Sequence, residues 1–235
     1  MKPDKEASGC LYLVATPIGN LGDLSARACE TIKRCDLVAC EDTRVSAKLL
    51  QHIGITLPMI SYREENERSK STELAGEIKK GKRVALLSDA GFPCISDPGF
   101  RLVRECHLGN LPIVPIPGPN AAITALAASG LPTHQFLYLG FLPKKSSQIR
   151  SLIQKWKDFE GSLIFYESKY KIPKTLEILL DSLGPDRYIC LTRELTKAYE
   201  SISTGPLHQI IEKQKKSSGK GEFTVVIAPE KYTFN

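Results

Sequence analysis

Short apolar runs that end in loops of small residues constrain the fold of this chain more than any other feature. Residues 11–15 form one such run, and residues 16–23 after it are rich in Gly, Pro and Asp. Residues 84–87 form another, followed by a similar loop at residues 88–99. Open α/β sheets place their ligands at such loops, which follow the carboxyl ends of parallel strands. The sequence therefore predicts a parallel sheet with a small-molecule site at one edge.

This alternation of strand and helix continues through the first half of the chain. It predicts strands near residues 11–15, 36–40, 58–61, 83–87 and 112–116, with helices between them. Asp23 is expected to cap the first helix, and Asp97 the helix after residues 88–96. The string SGLPT at residues 129–133 interrupts the pattern as a linker would. We therefore expect a parallel α/β domain at residues 1–130 and a mixed α/β domain at residues 131–235.

Charge is unevenly divided between these halves. Of the 235 residues, the first 130 include 16 Lys and Arg against 15 Asp and Glu, whereas residues 131–235 include 16 against 11. A basic half fits a phosphate-rich partner, because each neutralised phosphate releases counterions. The alternative is that these lysines only solvate the surface.

The composition bounds the class of protein. Hydrophobic residues make up 42% of the chain and no apolar run approaches a membrane helix, so we expect a globular protein with no membrane partner. The N-terminus lacks the apolar segment of a signal peptide. Seven cysteines without a Cys-x-x-Cys pair predict reduced thiols in the cytoplasm, and their spacing fits no common zinc site.

Eight strings in sequence order carry a resemblance to one family. They are TPIGNL (16–21), EDTR (41–44), SDAGFPCISDPG (88–99), PGP (117–119), SGLPT (129–133), FYES (165–168), RELTK (193–197) and KGEF (220–223). Together they resemble the tetrapyrrole-methylase-like S-adenosylmethionine (SAM) methyltransferases. Within that family the chain is similar to the branch that methylates the ribose 2′-hydroxyl of a cytidine in 16S ribosomal RNA. The chain contains no Gly-x-Gly-x-x-Gly, so the usual Rossmann methyltransferase fold is not expected.

The resemblance implies a fold, a cofactor and partners. The implied fold is two α/β domains with a SAM cleft between them. The implied enzyme acts in ribosomal RNA processing, on 16S ribosomal RNA or the small ribosomal subunit, and is a homodimer. The cofactor-binding residues that the resemblance implies are Pro17, Ile18, Gly19, Ser88, Asp89, Ala90, Gly91, Ser96, Ala121, Ala122, Phe165, Tyr166 and Glu222.

Catalytic and RNA-binding candidates follow from the implied reaction. A ribose hydroxyl is a weak acid, so a positioned carboxylate can remove its proton during methyl transfer. The candidate bases are Asp23, Glu167 and Glu222, and the candidate RNA contacts are Arg44, Arg193, Lys144 and Lys145. Phe92 and Cys94 stand where the family often has Thr and Gly, so we expect Phe92 to narrow the cofactor pocket.

Two other functions remain open on sequence alone. A methyltransferase of a small tetrapyrrole shares the fold class, and a non-catalytic RNA-binding relative is the second alternative. The basic second half favours RNA over a tetrapyrrole. The intact glycines of both ligand loops favour SAM binding over its loss.

Overall fold

The computed structural model describes residues 9–216 and 220–234, which form two compact units. The first unit ends at Asn120 and the second begins at Ala121. No helix in these residues is long and apolar enough to span a bilayer.

The first unit is a five-stranded parallel sheet, as the sequence predicts. Its strands are β1 (Cys10–Val14), β2 (Leu37–Cys40), β3 (Met59–Ser61), β4 (Arg83–Leu87) and β5 (Ile113–Ile116). Its helices are α1 (Ala26–Lys33), α2 (Thr43–His52), α3 (Glu67–Lys79) and α4 (Phe100–Leu108). The spatial order is β3-β2-β4-β1-β5, and every pair is parallel. A short 3-10 helix, Leu21–Asp23, precedes α1.

Alternation of side chains along the strands gives this sheet two buried faces. Leu11 and Leu86 belong to one cluster, which includes Leu74 of α3 and Leu102 of α4. The neighbouring strand residues, such as Val14 and Leu87, belong to a second cluster that includes Ile32 of α1 and Leu50 of α2. Helices therefore cover both faces, which explains why the strands read as continuous apolar runs.

Two of the expected helix caps are wrong. Ser25, not Asp23, caps α1 by accepting a hydrogen bond from Ala28 N at 3.1 Å. Asp97 does not cap α4, whose N-cap residue is Gly99. In both cases the helix begins two or more residues after the acid, so its carboxylate lies outside the first turn.

The second unit is a mixed α/β structure around its own sheet. Its strands are β6 (Phe136–Phe141), β7 (Ser162–Ser168), β8 (Tyr188–Arg193), β9 (Ser201–Pro206) and β10 (Glu222–Ile227). Its helices are α5 (Ala121–Ala128), α6 (Ser146–Trp156), α7 (Ile172–Leu183) and α8 (Leu207–Lys215). The strand order is β6-β7-β10-β8-β9; β6 and β7 are parallel and the other pairs antiparallel. Residues of α6, α7 and α8 form one core with this sheet.

Helix α5 places the division between the units before residue 121 rather than after residue 130. It packs against β7 and β10, and Ala122, Ala125 and Leu126 are buried. The linker string at residues 129–133 therefore lies inside the second unit, and it begins nine residues after Asn120.

Candidate functional site

Three loops meet at the carboxyl edge of the first sheet. They are the first loop (residues 16–20) after β1, the second loop (residues 88–99) after β4 and the third loop (residues 117–120) after β5. Because β4, β1 and β5 are neighbours in the sheet, the three loops start side by side. This edge is where an open parallel sheet binds its ligands.

Backbone hydrogen bonds join the first and second loops. Thr16 N donates to Gly91 O at 2.8 Å, and Gly91 N donates to Thr16 O at 3.1 Å. The Thr16 hydroxyl donates to Ser88 O at 3.0 Å, and the Ser88 hydroxyl donates to Gly91 O at 3.0 Å. All three residues are buried. The two loops therefore form one ordered structure rather than two independent turns.

Two glycines allow the loops to approach closely. Gly91 has a φ of +88°, and a Cβ there would lie 3.5 Å from Ile18 Cγ2 and 3.8 Å from Pro119 O. A Cβ on Gly118 would lie only 2.9 Å from Ala15 Cβ. The third loop thus packs against the residue before the first loop with no room for a side chain at Gly118, and the positive φ at Gly91 favours glycine in the second loop.

Three carboxyl groups, those of Glu41, Asp89 and Asp97, lie near one another at this edge. Asp89 Oδ1 accepts a hydrogen bond from Asp42 N at 3.0 Å, which connects the second loop to the residue after β2. Burial, with repulsion from Glu41 and Asp89, raises the pKa of Asp97 to about 7, although a hydrogen bond from Ser88 opposes the shift. Burial and repulsion from Asp89 also raise the pKa of Glu41. The edge therefore carries a carboxyl group, that of Asp97, that exchanges its proton near neutral pH.

A buried polar network fixes the end of the second loop. Glu67 Oε1 accepts hydrogen bonds from Gly99 N at 3.0 Å and Arg101 N at 3.2 Å, so a side chain of α3 caps α4. The Tyr62 hydroxyl donates to the same oxygen at 3.1 Å, lies 2.8 Å from Ser71 Oγ, and accepts from Leu102 N. Sequence reasoning missed this network, because its partners are up to 40 residues apart.

Phe92 and Cys94 pack against the core cluster that contains Leu11 and Leu102. Cys94 adopts a φ of +72° and its sulfur lies beside Gly99. Burial raises the pKa of its thiol to about 11, so it stays protonated at neutral pH. Both side chains thus contribute to the hydrophobic packing beneath the second loop.

The sequence-predicted residues of the first unit lie on the first two loops. Those on the first loop are Pro17, Ile18 and Gly19, and those on the second are Ser88, Asp89, Ala90, Gly91 and Ser96. Asp23 is exposed in the short 3-10 helix that follows the first loop. Arg44 is exposed in the first turn of α2, where Nε and Nη2 of its guanidinium donate three hydrogen bonds to the carboxylate of Asp42.

In the second unit, Tyr166 contacts the helix that begins it. The Tyr166 hydroxyl accepts a hydrogen bond from Ala122 N at 3.1 Å, which satisfies one of the unpaired donors at the start of α5. The Tyr166 ring makes edge contacts with Tyr138 and Phe141. Phe165 is fully buried in the core. Ala121 precedes Ala122 at the helix start and is half-buried.

The two carboxylates proposed as bases in this unit differ in accessibility. Glu167 is 3% exposed, and its oxygens accept from Ser168 N and the Thr175 hydroxyl, both at 2.8 Å. The Glu222 side chain is 81% exposed and pairs with Lys197 at 2.7 Å. Glu222 is therefore open to a substrate, whereas Glu167 is enclosed beside the start of α7.

The predicted RNA contacts of the second unit lie on two separate segments. Lys144 and Lys145 are exposed immediately before α6. Arg193 ends β8, and its Nε donates to Lys220 O. In the turn after β8, Glu194 and Thr196 adopt positive φ, and Glu194 Oε1 accepts a hydrogen bond from Glu222 N at 2.9 Å.

Within the described residues, no group of three or more His, Cys, Asp or Glu side chains has the arrangement of a metal site.

Comparison with known proteins identifies the family. The model of the tetrapyrrole (corrin/porphyrin) methylases matches residues 10–211. Curated relatives called ribosomal RNA small subunit methyltransferase I are 44% identical in Halalkalibacterium halodurans, 43% in Escherichia coli O157:H7 and 46% in Synechocystis. These matches cover 94% to 96% of this chain and 77% to 79% of the relatives.

Solved structures share the fold at lower sequence identity. The methyltransferase CobJ has a TM-score of 0.70 at 20% identity, and each chain is covered to 97%. Diphthine synthase has a TM-score of 0.72 at 15% identity, with 93% of this chain and 90% of that one covered. Because the family model matches residues 10–211 and the curated relatives are 43% to 46% identical, the chain belongs to the tetrapyrrole methylase family and, within it, to the group of ribosomal RNA small subunit methyltransferase I proteins.

Proposed function

We propose that this protein transfers the methyl group of SAM to the ribose 2′-hydroxyl of a cytidine in 16S ribosomal RNA. The observation that carries the proposal is the similarity to ribosomal RNA small subunit methyltransferases along nearly the whole chain. The structures named for other substrates share the fold at 15% to 20% identity, which supports a common architecture and no common substrate.

The first unit supplies a suitable place for the cofactor at its three loops. Gly91 and Gly118 keep Cβ atoms out of the space where the loops approach, so main-chain groups are available to a ligand. Asp89, anchored through Asp42 N, offers a carboxylate to a hydroxyl or amino group. SAM, when bound, supplies a methyl group activated by its sulfonium. The residues of the second unit proposed for the cofactor remain predictions from the resemblance.

The protein's part in such a reaction is to align the acceptor and to take its proton. Holding two reactants in line contributes on the order of 7–11 kcal/mol to lowering a barrier. The exposed carboxylates of Asp23 and Glu222 suit the role of base better than the enclosed Glu167. Arg44, Arg193, Lys144 and Lys145 are the proposed phosphate contacts.

Transfer of a labelled methyl group from SAM tests this proposal. The acceptors are small ribosomal subunits that lack the modification, naked 16S ribosomal RNA and a tetrapyrrole precursor, with SAM binding measured separately by calorimetry. We expect label in the small ribosomal subunits or in the naked 16S ribosomal RNA, and no label in the tetrapyrrole precursor. Label in the tetrapyrrole alone would transfer the proposal to small-molecule methylation. RNA binding without SAM binding would identify a non-catalytic relative.

A further inference from the structure

Three exposed arginines lie on two adjacent helices of the first unit, outside the site described above. Helices α3 and α4 pack side by side, and a groove of about 220 Å³ lies between them. Arg68, Arg101 and Arg104 line this groove, together with Phe100 and one acid, Glu105. The charged lining residues are thus three arginines against one glutamate, a net charge of +2.

The placement of these arginines is not explained by the packing of the helices. Arg68 and Arg101 are each the second residue of a helix, where the helix dipole disfavours a cation. Arg101 pairs with Glu67 at 3.5 Å and is still 58% exposed. Within the described residues, Arg68 and Arg104 have no ion-pair partner. Arg68 therefore combines a locally unfavourable position with the lack of an ion-pair partner, which points to a partner outside the chain.

An aromatic side chain accompanies them. Phe100, the first residue of α4, is 67% exposed. It directly follows Gly99 at the end of the second loop, so the groove starts beside the proposed cofactor edge. Arginines beside an exposed aromatic ring are the combination that binds single-stranded nucleic acid, by phosphate contacts and base stacking.

We propose that the groove between α3 and α4 binds the phosphate backbone of the RNA substrate, with Arg68, Arg101 and Arg104 as phosphate contacts and Phe100 as a stacking surface. This inference rests on the proposed function. It adds an RNA-contact surface on the first unit, although the net charge of residues 1–130 does not by itself indicate such a surface. A second copy of the chain with the groove on its twofold axis fits less well, because the same arginines would then lie opposite each other.

The test compares two charge-matched double variants. R68Q/R104Q removes two arginines of the groove. K33Q/K79Q removes two exposed lysines at the ends of α1 and α3, on the opposite edge of the sheet. Binding to 16S ribosomal RNA transcribed in vitro is measured by fluorescence anisotropy over a range of salt concentrations, with sedimentation to follow the oligomeric state and circular dichroism to verify folding.

We expect R68Q/R104Q to raise the Kd for RNA on the order of tenfold at about 0.15 M salt. The plot of the logarithm of the association constant against the logarithm of salt concentration should become less steep by about 1.5. K33Q/K79Q should retain the slope of the unmodified protein, and both variants should bind SAM normally. Equal behaviour of the two variants, while the unmodified protein binds and methylates RNA, contradicts this inference alone. A loss of dimer with unchanged RNA affinity assigns the groove to self-association instead. Failure of the unmodified protein to bind either this RNA or small ribosomal subunits overturns both proposals.

Discussion

At the scale of single residues, Glu67 shows how a distant side chain orders the candidate site. It is 9% exposed, and one of its oxygens accepts from two backbone N–H groups at the start of α4 and from the Tyr62 hydroxyl. Because Gly99 ends the second loop and Arg101 lies just beyond it, the position of that loop depends on this carboxylate. Its loss would leave buried donors without partners, at a cost of about 1–3 kcal/mol.

The variant E67A should therefore lower the free energy of unfolding by about 2 kcal/mol, whereas E67Q, which keeps an acceptor oxygen, should lose about half as much. Urea denaturation measures both. E73A is the matched control on the same helix, because the Glu73 side chain is 48% exposed, and it should change stability by less than about 0.5 kcal/mol. A cost for E67A no larger than that for E73A would show that the network contributes little.

Asp97 gives the site a dependence on pH. Its pKa is raised from 3.8 to about 7 by burial and by the nearby carboxylates, so the folded protein binds more protons than the unfolded chain between these values. Stability should consequently fall as pH rises through this range and level off above pH 7. The raised pKa of Glu41 acts in the same direction.

The variant D97N removes most of this dependence, because an amide does not ionise. We expect it to be more stable than the unmodified protein at about pH 8, on the order of 1–2 kcal/mol after screening by solvent, and to approach it at about pH 4. Thermal or urea unfolding across pH measures the two curves. D186N, at an exposed carboxylate, should follow the unmodified protein. If the curves of stability against pH for D97N and the unmodified protein run parallel, the raised pKa of Asp97 is contradicted.

At the scale of elements, the three loops depend on close backbone contact. Gly118 lies in the third loop, where a Cβ would approach Ala15 Cβ to 2.9 Å. Gly76 lies within α3, where a Cβ would meet nothing within 4 Å. Replacing each of these two glycines by alanine therefore separates a steric requirement for glycine from the general effect of glycine on backbone entropy.

We expect G118A to lower stability by about 1–3 kcal/mol and to weaken SAM binding, because the third loop must move away from Ala15, the residue before the first loop. G76A should raise stability by about 0.5–1 kcal/mol, since alanine favours a helix interior. Urea midpoints and SAM calorimetry measure both effects. Unchanged SAM affinity in a folded G118A protein would argue against the third loop as part of the cofactor site.

Comparison of the helix starts shows what a sequence can and cannot predict. Asp42 caps α2 by accepting a hydrogen bond from Arg44 N, and a sequence can indicate such a cap because cap and helix are adjacent in the chain. The cap of α4 comes from Glu67, more than thirty residues earlier, and no local pattern indicates it. The clustering of Glu41 and Asp97 was missed for the same reason, although each lies beyond a buried strand at the same sheet edge.

At the scale of the whole molecule, each unit has its own sheet and core. The sequence predicted the parallel sheet of the first unit strand by strand and the mixed α/β class of the second. The position of the division was less predictable. Helix α5 is rich in alanine and apolar nearly all round, so its sequence does not indicate which sheet it covers. Its packing on β7 and β10 makes it part of the second unit.

The function of the whole molecule is tested most directly by the identity of the methylated nucleoside. Small ribosomal subunits that lack the modification are incubated with the protein and labelled SAM, and their RNA is digested to nucleosides for mass spectrometry. The account predicts label in 2′-O-methylcytidine. Label in a methylated base or in another nucleoside, or no label in RNA while SAM binding is intact, would contradict it.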